Sequence, residues 1–191
     1  MPGIETEALS VMNGFESGAR KLVPAVLIYA RSAGRILMLH RNAVDRVGDY
    51  HSGKWNGLGG KLEPDESPRQ AARREFKEEC GLDVKEESFQ ELGWLQFPNF
   101  KAHKAEDWLA FVFIVDLPPE DSERQLLGPE GSLHWIPEAD LLSLELWPGD
   151  RHFIPHVQAR RLFIGTLWYD GPEVSRVDVR ILGMSAPLTN L

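Results

Sequence analysis

Only one cysteine, Cys80, occurs in the 191 residues, so an intrachain disulfide is excluded and no cysteine-based catalytic signature is present. An excess of positive charge is missing too: 21 Lys and Arg stand against 29 Asp and Glu, a net charge of −8 at pH 7. Such a balance argues against general affinity for nucleic-acid polymers or anionic membranes, because both need basic residues to neutralise phosphates. No apolar run approaches the roughly 18 residues of a membrane span. The opening residues carry Glu5, Glu7 and Glu16 and lack the apolar stretch of a secretory signal. The expectation is a cytoplasmic protein with no nucleic-acid polymer or membrane as partner. The histidines at 40, 51, 103, 134, 152 and 156 show no zinc-site spacing, and His152 and His156 lack the glutamate between them that a zinc protease uses. A nucleophile-elbow serine is absent as well.

What is present suffices for one domain with a real core: 42% of residues are hydrophobic. Residues 1–21 read as an N-terminal extension, 22–182 as the domain and 183–191 as a tail. Val23 to Ala30 and Arg35 to Arg41 are aliphatic runs that predict a hairpin, followed by a polar loop to Lys54. Further strands are expected over Gln90 to Phe97, Asp107 to Leu117, Leu133 to Ile136, Phe163 to Tyr169 and Val174 to Leu182, with Pro118 to Glu130 as an acidic turn region. Short helices are expected over Glu138 to Leu144 and Asp150 to Leu162. Strands bracketing helices predict an α/β fold with a mixed sheet covered on both faces. The glycines of Trp55-Asn56-Gly57-Leu58-Gly59-Gly60 permit close approach of backbone to phosphate or metal, yet fit neither the P-loop nor the dinucleotide fingerprint.

One helix is marked with particular clarity. Ser67, Pro68 and Gln70 form an N-cap, a first-turn proline and a capping-box partner, and Gly81 supplies a left-handed stop, which predicts a helix over residues 68–80. Ala72, Phe76 and Cys80 fall on one stripe of it, which makes Cys80 a buried structural thiol. Glu75, Glu78 and Glu79 crowd another face. Like charges at that spacing destabilise a bare helix by roughly 0.2–0.5 kcal/mol per pair, and Arg74 offsets only part of this through Glu78. A solvated acidic face is the ordinary reading of such crowding; a site for hard cations is the other.

The surrounding residues decide between them. Gly60, Glu66, Arg74, Glu75, Glu78, Glu79 and Gly81, with apolar Phe76 and Leu82, stand at the offsets of the signature of the Nudix hydrolases, and the segment resembles that family at every required position. A chance match of this kind is on the order of one in ten million at average residue usage. The resemblance implies a Nudix α/β/α sandwich over about Val23 to Leu182, and cleavage of a diphosphate linkage in a small-molecule nucleotide by attack of water on phosphorus. It implies Mg²⁺ or Mn²⁺ as cofactor, with Glu75 and Glu79 as central ligands, Glu78 assisting through metal or water, and the Gly59 carbonyl contributing. It further implies that Arg74 orients a glutamate, that Glu66 braces the loop, and that Glu106 supplies a ligand from outside the signature, a position also open to reading as a solvated charge.

A second resemblance concerns substrate. Trp55-Asn56-Gly57 before Gly59-Gly60-Lys61, then Trp147-Pro148-Gly149-Asp150 and Arg160-Arg161-Leu162-Phe163, is similar to the MutT-type sanitising branch that hydrolyses oxidised purine nucleoside triphosphates, of 8-oxo-dGTP type. It implies that Asn56 and Asp150 hydrogen-bond the base, that Trp147 stacks on it and that Arg41 reaches a phosphate. Ordinary packing for Trp147 and a helix N-cap for Asp150 are the alternatives. The chain departs from that branch at Gly149, where a second aspartate is expected. Hydrolysis of a nucleotide sugar, ADP-ribose or another diphosphate conjugate, to which Pro98 is a slight pointer, is the competing enzymatic reading; a nucleotide-sensing module without turnover is another.

Overall fold

The computed structural model describes residues 20–42 and 53–184, so the expected extension and tail fall outside the described residues except where they enter strands. Strands β1 (Lys21–Ser32) and β2 (Arg35–His40) form the expected hairpin, with Ser32 opposite Arg35. Ala33 (φ 47°) and Gly34 (φ 72°) both take left-handed angles, the turn that matches the twist of a two-residue hairpin. After β3 (Trp55–Asn56) come the helix Pro68–Cys80, then β4 (Gln90–Lys101), β5 (Glu106–Asp116), β6 (Leu127–Gly128), β7 (Gly131–Pro137), β8 (Arg161–Asp170) and β9 (Glu173–Met184). They join in the order β6-β7-β2-β1-β5-β4-β8-β9, with β3 paired to β2. β1 with β5 and β4 with β8 run parallel and the other pairs antiparallel, which makes the sheet mixed.

Strand alternation distributes the core to both faces. Val26, Ile28 and Ala30 of β1, Leu37 and Leu39 of β2, and Phe113 and Val115 of β5 pack under Ala72, Phe76 and Cys80 of the helix. The opposite residues, including Tyr29, Met38 and Val112, pack with Trp147, Phe153, Ile154 and Val157. The long helix and the short C-terminal helices thus cover opposite faces, the expected sandwich.

Differences from the expectation have local causes. The helix expected over Asp150 to Leu162 is a 3₁₀ turn, Pro148–His152, followed by the helix Ile154–Gln158. Arg160 turns left-handed (φ 50°), and Arg161 and Leu162 pair with Met184 and Gly183. Ladder pairing overrides helical pattern there. The stretch from Glu138 is likewise 3₁₀, over Glu138–Ser143. β4 runs past Phe97 through a bulge in which Asn99 has φ 62°, and Pro98 lies buried within it.

Candidate active site

The segment from Asn56 to Leu62 is strapped across β1: the Val26 N–H donates to the Gly60 carbonyl at 2.8 Å, and Ile28 and Leu58 exchange bonds of 2.7 and 3.0 Å. Gly59 has φ 139°, and a Cβ there would fall 2.1 Å from the Val26 carbonyl oxygen, so no other residue fits. A Cβ on Gly60 would fall 2.3 Å from Glu75 Oε1. Loop backbone and helix carboxylates are therefore in direct contact, and the Gly59 N–H donates to Glu79 Oε2 at 2.7 Å.

The capping box forms as expected. Ser67 Oγ accepts from the Gln70 N–H, Gln70 Oε1 accepts from the Ser67 N–H, and Gly81 closes the helix at φ 76°. Within this frame Arg74 ties the segment together. It gives Glu66 two bonds of 3.0 and 2.6 Å, Glu75 Oε1 one of 2.8 Å, Glu78 Oε2 one of 3.3 Å and the Lys61 carbonyl one of 3.1 Å. The Arg74 bonds hold the Glu66 carboxyl below the ordinary range, and the Glu63 N–H adds a bond of 2.7 Å.

Glu79 is buried, and burial pushes its carboxyl up to about 8; the charges of Glu130 and Glu75 add to the shift, while the Gly59 N–H and Arg41 oppose it. Glu75 is raised in the same direction by burial, against the Arg74 bond. Among the described residues no three His, Cys, Asp or Glu side chains form a ready cation cage. Glu75 and Glu78 are turned onto Arg74, and Glu79 onto Gly59. A buried carboxylate raised by its like-charged neighbours is nevertheless a donor that a cation relieves, and an oxygen-only set fits Mg²⁺ or Mn²⁺.

These groups open into a cleft of about 530 Å³. Glu75, Glu78, Glu79 and Glu130 line it with Arg41, Lys61 and Lys101; Asn56, Trp147 and Asp150 line it with the rings of Phe97, Phe100, Trp108 and Tyr169. Arg41 is ion-paired with Glu130. Burial lowers the Lys101 ammonium, and the charges of Lys61 and Arg41 act in the same sense. The Lys101 Nζ stands 4.3 Å from the Trp108 ring centre. Phe100 meets Trp147 edge-on at 5.5 Å and Tyr169 at 5.2 Å. Asn56 is held on β3 opposite Leu39. The Asp150 carboxyl is pushed up to about 7 by burial, against the charges of Arg151 and Lys54. The helix after it starts beyond Phe153 with no side-chain cap, so Asp150 does not serve as that cap.

The structure brings all but three of the expected site residues onto one cleft, and Arg74 sits off its lining, bonded to Glu75 and Glu78. Glu66 lies behind Arg74, outside the cleft lining. Glu106 is also absent from the lining: it shares the face of Trp108 and Ala110 but sits at the hairpin end opposite Lys101, its carboxylate 3.4 Å from Trp108 Nε1. Glu63 and Glu130 are the outlying carboxylates that do line the cleft. Sequence reasoning missed Glu130, Lys61, Lys101, Phe100 and Tyr169. Lys61 is adjacent to the signature glycines, and Pro98-Asn99 marks the bulge that places Phe97 and Phe100 in one cleft.

Comparison with known proteins agrees. The NUDIX domain profile matches residues 21–157. An oxidized purine nucleoside triphosphate hydrolase of Danio rerio is 28% identical over 155 residues, 81% of this chain and 90% of that protein. The Mus musculus protein of the same name is 30% identical over 118 residues, 61% of this chain and 70% of that protein. The crystal structure of a MutT protein from Bacillus halodurans superposes with a TM-score of 0.67 at 26% identity, covering 82% of this chain and 97% of that one.

Proposed function

The chain belongs to the Nudix hydrolase family, and from that premise we propose that it is a Mg²⁺- or Mn²⁺-dependent pyrophosphohydrolase that converts nucleoside triphosphates to monophosphate and pyrophosphate, with oxidised purine nucleotides as its substrates. The observation that carries this reading is one continuous cleft in which a carboxylate cluster around the buried Glu79 and a box of aromatic rings with an amide and a carboxyl adjoin. The names of the Danio rerio and Mus musculus relatives support the same substrate class.

Hydrolysis at phosphorus needs charge neutralisation, an oriented water and a proton acceptor. A divalent cation, when bound at the carboxylates, would neutralise charge on the phosphate oxygens and acidify a water. Glu75, Glu78, Glu79 and the Gly59 carbonyl are the groups that would hold it. Arg74 fixes the directions of Glu75 and Glu78, and Glu66 fixes Arg74. Arg41, Lys61 and Lys101 receive the phosphates, Trp147 walls the base, and Asn56 and Asp150 hydrogen-bond its edge.

Phosphorus NMR of products formed from 8-oxo-dGTP, dGTP and dCTP with Mg²⁺ tests the reading, with pyrophosphate and monophosphate expected. Products carrying one phosphate each, released only from diphosphate conjugates, would replace the substrate class with nucleotide sugars or ADP-ribose. Nucleotide binding without any turnover would make the chain a sensing module.

A further inference from the structure

Away from the cleft, β9 is the last strand on its side of the sheet: β8 holds one edge of it, and among the described residues no strand pairs with the other. An open edge presents a row of backbone donors and acceptors to any further strand, and natural edges are blunted by lysine, proline or a bulge. In β9 the bulges lie towards the ends. Trp168 and Tyr169 face Arg176 and Val174, which leaves Ser175 as one extra residue; Leu162 and Phe163 face Gly183 and Ile181, which leaves Leu182 as the other. The stretch Arg176–Ile181 between them is regular and contains neither lysine nor proline. Its residues alternate. Val177 and Val179 pack against the core, and Ile181 beyond them is 44% exposed. Arg176, Asp178 and Arg180 are exposed on the other side. Arg176 is stacked on Trp168 at 3.4 Å, whereas Asp178 and Arg180 meet only at 3.4 Å, their side chains 51% and 73% exposed.

We propose that β9 pairs edge to edge with β9 of a second copy of this chain, antiparallel and centred on Val179, so that two sheets join into one. A two-fold axis that relates antiparallel neighbours stands normal to the sheet, so a residue can face only residues that point to its own side. The two registers nearest the middle of the regular stretch differ in charge. Centred on Asp178, the pair sets Asp178 against its own copy and Arg176 against Arg180, and like charges directly opposite destabilise a strand pair. Centred on Val179, it sets the Asp178 of each copy opposite the Arg180 of the other, twice by symmetry. On the apolar side the same register lays Val177 of one copy beside the exposed Ile181 of the other, with Val179 facing itself. The complement of Val177-Asp178-Val179-Arg180-Ile181 read antiparallel is therefore that same stretch, which makes a second copy the occupant.

Sedimentation velocity over a concentration series of the full chain provides the test. The wild type is expected to show a monomer–dimer equilibrium. Asp178→Arg and Arg180→Asp should each weaken it by at least about tenfold, because each sets like charges opposite one another twice. The double variant Asp178→Arg, Arg180→Asp should restore it, since the opposite charges then face again with their positions exchanged. Both side chains are exposed and remote from the cleft lining, so the melting temperature of the monomer should stay at the wild-type level. Asp178→Asn, with a smaller weakening, replaces any reversal that melts early. A wild type that remains monomeric up to its solubility limit overturns the proposal, as does a dimer that neither reversal weakens. A double variant as weak as the single ones overturns the register, and with it the self-complementarity that names the second copy as partner.

Discussion

The two sides of the cleft are built in opposite ways. The carboxylate side is mostly local: between Gly59 and Gly81, glycine backbone, capping box and the Arg74 bonds fix one another on a loop anchored to β1. The base side is assembled from β3, the β4 bulge, β5, the turn at Pro148–His152 and β8, held by ring contacts across the sheet. Chemistry that every substrate needs is packaged in one segment, while selectivity is spread over elements whose separate changes alter one wall at a time.

The sharpest way to break this contrast is at Glu79. Glu79→Gln keeps the shape and removes a buried negative charge, and turnover in saturating Mg²⁺ is expected to fall by at least about two orders of magnitude with the fold retained. All substrates should suffer alike; near-normal turnover, or a loss confined to one base, would end the division of labour.

On the other side, Asp150→Ala should cost purine triphosphates about 1.5–3 kcal/mol of apparent transition-state stabilisation, roughly 10- to 150-fold in kcat/KM, with dCTP affected less. Equal losses for dGTP, 8-oxo-dGTP and dCTP would show that Asp150 supports the turn and not the base. No helix cap is lost, but the backbone bond from Trp147 to the Asp150 carboxyl is, so the melting temperature is measured alongside.

A smaller effect is expected in stability against pH. Burial pushes the Glu79 carboxyl up to about 8 in the metal-free chain, well above the ordinary carboxylate range, so the folded state retains a proton that the unfolded state has lost. Between the unfolded and folded values the contribution of Glu79 to stability falls as pH rises, and it levels off above the folded value. In chelator, the melting temperature should decline from about pH 5 to about pH 8 and level off above that, at roughly 2–4 °C for each kcal/mol in a domain of this size. Glu79→Gln should flatten this decline, and Mg²⁺ should oppose it by favouring the ionised form. The same slope in wild type and variant would place the titration elsewhere.

The smallest change sharpens the distinction between the two faces of the helix. Burial pushes the Cys80 thiol up to about 12, and its Sγ donates to the Phe76 carbonyl at 3.0 Å. In Cys80→Ser the hydroxyl inherits that partner, so denaturant unfolding should show a loss of only about 1 kcal/mol, with specific activity preserved. A folded, equally stable variant without activity would place the thiol in the reaction.

How much was legible in the sequence follows the same division. Ser67, Gln70 and Gly81 announce the helix because caps are read from adjacent residues, and the spacing of Glu75, Glu78 and Glu79 displays the carboxylates on one face. The aliphatic alternation of β1 and β5 likewise predicts both core layers. Glu130 carries no such signal: it is one acidic residue in an acidic turn region, and only the β2–β7 pairing and its ion pair with Arg41 bring it beside Glu79. Tyr169 is hidden for the same reason, since its meeting with Gly149 requires β8 to pass beneath a turn that precedes it in sequence. Glu106 differs in the reverse sense. Strand parity faces it correctly, but its place at the hairpin end keeps it off the lining.

The hydrogen bond from the Gly59 amide to Glu79 also provides a built-in spectroscopic probe. That amide is tied to the oxygen atom whose charge changes on protonation or cation binding, on a loop anchored to β1 on either side of it. Its proton resonance should shift downfield as the carboxylate ionises and move again when a cation draws on the same oxygen. One backbone signal, followed through a titration with Mg²⁺, would thus report occupancy in a protein that need not turn over any substrate.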